Sequence, residues 1–234
     1  MELNNLLPFL KIFNAIIIIA LNISPVVGMI KIMKGKEKYT YVPFLMILFN
    51  TLNHLCWACY WFKVSIMIFL LSCYISTILE SGLLIIYIYF LNNKSYKRFF
   101  ITAVLVILIE LIIVIGVLFF IIEKLNFYRR CLMVINILMY ISPGQNLIKV
   151  FKEKKYKLIP IVSTVVGILC SGGWLLFGKI IKNNYILISS EIGLIFSTLY
   201  SSIWLIYYIK AKINQKKSTF YPEDNNRTRD VEIA

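Results

Sequence analysis

The sequence predicts an all-α membrane protein, with seven transmembrane helices arranged as two parallel three-helix bundles joined by a linker helix (3+1+3). Three observations predict it. Of 234 residues, 60% are hydrophobic and only 15% charged, and mean hydropathy is +0.80. Seven apolar runs, at about 8–31, 41–62, 64–91, 99–122, 131–149, 158–178 and 185–209, approach or exceed the ~20 residues that cross a bilayer. The first three runs and the last three also share one pattern of prolines, basic loops and tryptophans.

Span 1 opens in "MELNNLLPFLKIFNAIIIIALNISPVV", which has neither a basic leader nor a small-residue cleavage site, so it reads as a retained span. It ends in Ser24-Pro25, followed by Ile-Lys and a basic loop. Span 2 follows Pro43, and its Asn50, Asn53, Trp57 and Tyr60 stand at i, i+3, i+7 and i+10, one helical stripe. Flat rings stack on the C–H face of a sugar and amides bind its hydroxyls; helix packing and an interfacial aromatic belt are the structural alternative. Within the same span, "NHLCWACYW" carries the chain's one histidine, His54, and the pair Cys56 and Cys59. No flanking turn or second ligand pair makes it a redox or metal motif. All five cysteines lie in apolar segments and are expected as buried thiols.

Span 3 brings Cys73, Ser76, Thr77 and Glu80; span 4 brings Glu110. Span 5 ends in Ser142-Pro143 with the same Ile-Lys and basic loop, and span 6 follows Pro160. Trp57 lies 14 residues beyond Pro43, and Trp174 lies 14 beyond Pro160. Span 6 adds Gly167, Ser171 and Gly178 around Trp174; span 7 adds Ser190 and Glu191. Three spans would invert the second copy, so span 4 is the linker that keeps the copies parallel. The resulting division is 1–98 for the first bundle, 99–127 for the linker, 128–209 for the second bundle and 210–234 for a polar, disordered cytoplasmic tail.

Pro25, Pro43, Pro143 and Pro160 occupy matching places in the two copies. Proline removes a backbone donor and kinks or ends a helix. Pro43 and Pro160 suit helix starts, whereas Pro25 and Pro143 lie within spans and are expected as hinges between rocking bundles. Acids within spans are costly. Glu80 and Glu191, in corresponding spans, either line an aqueous cavity or make structural hydrogen bonds. Glu110 has no repeat partner and is expected to be structural.

The net charge of +14 sits in short loops, so no nucleic acid partner is expected. Eighteen Lys and Arg fall on the side that bears the C-terminal tail and seven on the other. The C-terminus is therefore expected in the cytoplasm and the N-terminus outside or in a lumen. One histidine and no nucleophile motif argue against an enzyme, a cofactor or a metal.

With these residues in place the chain resembles the SWEET (MtN3/saliva) sugar-transporter family. "MYISPGQNLIKVFKEKKYKLIP" is similar to that family's M-Y-x-S-P, basic loop and proline, "CSGGWLLFG" to its span-6 tryptophan segment and "LNHLCWACY" to its L-N-x-x-x-W-x-x-Y pattern. The resemblance runs over residues 8–209. It implies a uniporter for mono- or disaccharides working by alternating access. It also implies a proline tetrad at Pro25, Pro43, Pro143 and Pro160, and tryptophans flanking the sugar at Trp57 and Trp174. Asn53 joins these as a substrate residue, and Tyr60 stands toward the outer mouth as a gate. The family's sugar-binding asparagines are not kept. The span-7 position falls on Ser190, beside Glu191; the span-3 position falls on Cys73, Ser76 or Thr77, with Thr77 preferred. The expected partners are a sugar and the lipid bilayer, with room for a homo-oligomer, and the plasma membrane is favoured over an internal one. The alternatives are a proton-coupled PQ-loop-type transporter of an amino acid or other solute, and a seven-span cargo receptor.

Overall fold

The computed structural model describes residues 6–34, 43–91, 96–154 and 156–220. It holds helices α1 (Leu7–Met33), α2 (Phe44–Val64), α3 (Met67–Leu91), α4 (Tyr96–Glu123), α5 (Leu125–Ile141), α6 (Leu147–Glu153), α7 (Ile161–Ile180) and α8 (Asn184–Phe220). A 3-10 turn over Ser142–Asn146 joins α5 to α6, so eight helices make seven spans. Five spans are long and apolar enough to cross a membrane: α1, α3, α5–α6, α7 and α8. At 21 residues α2 is long enough, but its apolar character is diluted by buried Asn50, Thr51, Asn53 and His54. In α4, residues 103–118 are the apolar stretch, and Leu105, Ile109 and Ile112 lie exposed along it, as lipid contact requires.

The two bundles are built alike. In the first, α3 packs against both α1 and α2; in the second, α8 packs against both α5 and α7. The bundles meet through α1 on α7 and α2 on α5, which is one contact repeated with the copies exchanged. α4 lies mainly against α3 and α2. The register can be read from hydrogen bonds. Ser72 and Ser189, 117 residues apart, each donate to the carbonyl three residues earlier.

Tight turns hold the helices of each bundle together. Ser65 is left-handed (φ 62°), and Ile66 N–H closes back on Trp61 O at 3.1 Å. Asn183 caps α8, its Oδ1 accepting from Tyr185 N–H at 3.1 Å and Ile186 N–H at 3.3 Å.

The four prolines divide by role. Pro43 and Pro160 stand immediately before α2 and α7 and begin those helices. Pro25 sits inside an uninterrupted α1, while Pro143 lies in the 3-10 turn. A proline at position i frees the carbonyl at i−4, here those of Leu21 and Met139. In both cases the serine just before the proline donates to that carbonyl at 2.6 Å, Ser24 to Leu21 and Ser142 to Met139. Neither break leaves an orphaned carbonyl in the bilayer.

Two boundaries differ from expectation. α5 begins at Leu125, ahead of the apolar run at 131 and across the limit drawn for the linker. Asn126, Arg129 and Arg130 lower the hydropathy there without breaking the helix. Residues 210–220, expected as disordered tail, continue α8 to Phe220, because no glycine or proline interrupts the chain between Gly193 and Pro222. Residues 221–234 and the loop lysines Lys36, Lys38 and Lys94 lie outside the described residues.

Candidate functional site

A polar stripe on α2 faces the matching face of α7 across the line between the bundles, and the space between them is a cavity of about 40 Å³. Ten of its fourteen lining residues form five pairs related by the repeat: Ile18 with Asn136, Leu21 with Met139, Asn53 with Cys170, Trp57 with Trp174, and Cys73 with Ser190. Each pair is separated by 117 or 118 residues. The cavity therefore sits on the pseudo-twofold axis. Motion of one bundle against the other changes it most there.

One end is closed by aromatic rings. Trp57 and Trp174 stack at 6.3 Å, and Trp61 stacks on Trp57 at 5.3 Å and on Trp174 at 5.8 Å. Phe69 and Phe177 fill in beneath at 5.2 Å. Tyr60, the expected gate residue, lies within this layer rather than at an open mouth. It is edge-on to Trp57 at 5.3 Å and covered by the Arg129 guanidinium at 5.8 Å.

Two hydrogen bonds onto equivalent carbonyls clamp the bundles at this level. Cys56 and Gly173 each precede a cavity tryptophan. Tyr128 OH donates from α5 to Cys56 O at 2.6 Å, and Asn14 Nδ2 donates from α1 to Gly173 O at 3.2 Å. Gly173 permits the α1–α7 approach. An added Cβ would stand 2.8 Å from Phe13 Cε1 and also collide with Asn14 Oδ1.

Toward the other end a second cavity, about 30 Å³, shares Leu21, Met139 and Tyr140 with the first and is also lined by Pro143. Beyond it a mouth of about 210 Å³ is lined by Pro25, Lys31 and Pro160. Ser24 and Ser163 join the bundles between them at 2.6 Å. Since Ser24 spends its proton on Leu21 O, Ser163 is the donor. Gln145 Oε1 accepts from Leu45 N–H at 3.0 Å, a second link between the bundles on this side. The central cavity is thus shut by rings on one side and by hydroxyls and a glutamine on the other. Its volume suits about three waters. Any larger solute enters only when a side opens.

Trp57, Trp174, Asn53, Cys73 and Ser190 line the cavity together. The preferred Thr77 does not. Its hydroxyl donates to Cys73 O at 2.9 Å within α3. Ser76 is fully buried, with Oγ unpartnered, and also lies off the cavity. The repeat register gives the reason, since the residue of α3 that matches Ser190 is Cys73. Glu191 is corrected as well. It is exposed on α8, and its counterpart 117 residues earlier is Tyr74, 62% exposed on α3. Both point outward from the bundles.

Glu80 matches Ser197, not Glu191. It is fully buried beside the second cavity, with Oε1 accepting from Asn50 Nδ2 at 3.1 Å and Oε2 unpartnered. Glu110 accepts from Ser81 at 2.5 Å and ties α4 to α3. Sequence reading passed over Trp61, Asn136, Tyr140 and Cys170. Adding the repeat offset of 117 to Asn53 would have found Cys170. Trp61 has no such signal, because its counterpart is Gly178.

A family model described as "Sugar efflux transporter for intercellular exchange" (MtN3/saliva) matches residues 126–212, most of the second bundle. The bidirectional sugar transporter SWEET8 of Arabidopsis thaliana is 27% identical over 203 residues, covering 82% of this chain and 81% of its own length. SWEET7 of the same plant is 26% identical over 223 residues, covering 90% and 84%. A solved structure of a eukaryotic SWEET transporter superposes with a TM-score of 0.68 at 19% identity. It covers 89% of this chain and 99% of its own, and so shares the fold.

Proposed function

We propose that this chain belongs to the SWEET (MtN3/saliva) family and is a bidirectional sugar transporter that moves mono- or disaccharides down their gradient by alternating access. One observation carries the reading: a cavity on the pseudo-twofold axis, lined by five pairs of equivalent residues that include both tryptophans. A sugar held there would stack against Trp57 and Trp174 and give hydroxyls to Asn53, Ser190 and the neighbouring groups. The aromatic layer and the Ser24–Ser163 link would open in turn. The mechanism is binding and gating, with no bond made or broken. The excess of Lys and Arg supports a cytoplasmic C-terminus and an outward N-terminus. The plasma membrane and association with further copies belong to the same reading.

Glu80 favours a second reading, a proton-coupled transporter of a sugar or amino acid. Its carboxyl is buried beside the transport path, and one oxygen has no partner. Counterflow in proteoliposomes with hexoses, sucrose and amino acids at two pH values separates the two. Equilibration of sugar, unaffected by an imposed pH gradient, is expected. Accumulation driven by the gradient would replace the uniporter with the coupled carrier. Uptake of amino acids alone would reject sugar as substrate.

A further inference from the structure

His54 is the one histidine of the chain, and no step described so far uses it. It is 4% exposed, lines the central cavity, and its Nε2 is buried without a hydrogen-bond partner. The residue before it, Asn53, lines the same cavity and leaves its own Oδ1 buried and unpartnered, with its Nδ2 directed to Met139 Sδ at 3.2 Å. A buried polar atom left unmatched is destabilising, because its lost hydration is not replaced. Two such atoms, on consecutive residues that both line one small cavity, point to a ligand that completes them. The second bundle offers no counterpart. Cys170 stands where Asn53 would be, and Ser171, matching His54, does not line the cavity.

The chemistry narrows the ligand. Asn53 Oδ1 can only accept, so the ligand must donate there. An imidazole nitrogen can accept from a hydroxyl or donate to one, according to tautomer. Two hydroxyls on adjacent ring carbons satisfy both. The stacked pair Trp57 and Trp174 stands one turn away, where the ring's C–H face would rest.

We infer that His54 is a specificity-determining residue, whose Nε2 pairs with one hydroxyl of a vicinal diol on the sugar while Asn53 Oδ1 accepts from its neighbour. This rests on the sugar-transporter reading and extends it. The cavity tells a sugar bearing that diol from one lacking it, and the discrimination comes from the first bundle.

The test is counterflow by the full chain in proteoliposomes, using a transported hexose and its series of monodeoxy analogues. Wild type, His54→Leu and His54→Gln are compared. Wild type should lose about tenfold in apparent affinity for the analogue missing the partnered hydroxyl, the scale of one buried hydrogen bond. His54→Leu should lose about tenfold on the intact hexose and nothing further on that analogue. His54→Gln, which keeps a donor and an acceptor, should recover part of the loss. If His54→Leu does not reach the membrane, the same comparison with His54→Gln decides, since a weakened deoxy response is still required of it. An equal loss on every analogue, or no loss, would overturn the assignment and leave the transporter reading intact. Wild-type protein that exchanges no hexose would overturn both.

Discussion

Gly173→Ala is the sharpest test of how the two bundles close. The added methyl would lie 2.8 and 3.1 Å from two ring carbons of Phe13 and collide with Asn14 Oδ1. Comfortable carbon contacts lie at about 3.5–4.0 Å, so α1 and α7 must part by about 1 Å. Overpacking of this kind costs about 1–3 kcal/mol. The Asn14–Gly173 bond, already 3.2 Å long, would lengthen with the separation and forfeit up to about 1 kcal/mol more. A penalty of about 2 kcal/mol, borne only when the ring-sealed side is shut, shifts the balance toward its open form by about 30-fold. Cys170 lines the cavity behind the seal and reports the change. In oriented vesicles, a membrane-impermeant thiol reagent applied from the side of the aromatic layer should modify Cys170 at least about tenfold faster in the variant, read on its own peptide by mass spectrometry. Reagent applied from the basic side should not gain. An unchanged or slower rate in a folded variant would refute the idea that the α1–α7 contact holds the seal.

Four further outcomes are expected. Trp57→Ala or Trp174→Ala should abolish counterflow while the protein still inserts, and unchanged flux in both would remove the cavity as the substrate site. Pro143→Ala should slow exchange several-fold with little change in sugar-induced tryptophan fluorescence. Pro25→Ala should do less, because α1 is already continuous at Pro25; equal effects would reject Pro143 as the main hinge. Cys73→Asn should change apparent sugar affinity and Thr77→Asn should not, which kinetic comparison of the two settles; the reverse would restore the position first preferred. Glu191→Leu should leave transport within about twofold, because the carboxylate points away from both cavities. A tenfold loss in flux would show that Glu191 acts in the path.

The helices, their parallel duplication and the paired tryptophans were legible because bilayer length and a repeat are properties of the linear chain. The site was legible only where the repeat was applied strictly. Trp57 and Trp174 follow their prolines at equal distance, and both line the cavity. Glu80 and Glu191 lie in corresponding spans but 111 residues apart, six short of the register, and six residues of helix turn a side chain to another face. Thr77 misled differently: four residues past Cys73 it keeps the same face of α3 but stands about 6 Å further along, beyond the cavity. The two-residue turn at Ser65 and Ile66 sets the register of α3, and its length carried no motif. Trp61 was hidden because it is the asymmetric part of the seal. The histidine drew notice for a metal or redox role, whereas it lines the cavity with its Nε2 buried and unpartnered.

The serines before Pro25 and Pro143 bear on how the protein is made. Each spends its hydroxyl on a carbonyl of its own helix, so the repair needs no other segment of the chain. A newly synthesised α1 can therefore leave the translocation machinery and meet lipid with its proline break already sealed, before α7 exists to receive it. The second half carries the same provision. Two separately expressed halves, each inserting without the other and then pairing through α1 on α7 and α2 on α5, are a natural outcome of this local self-sufficiency.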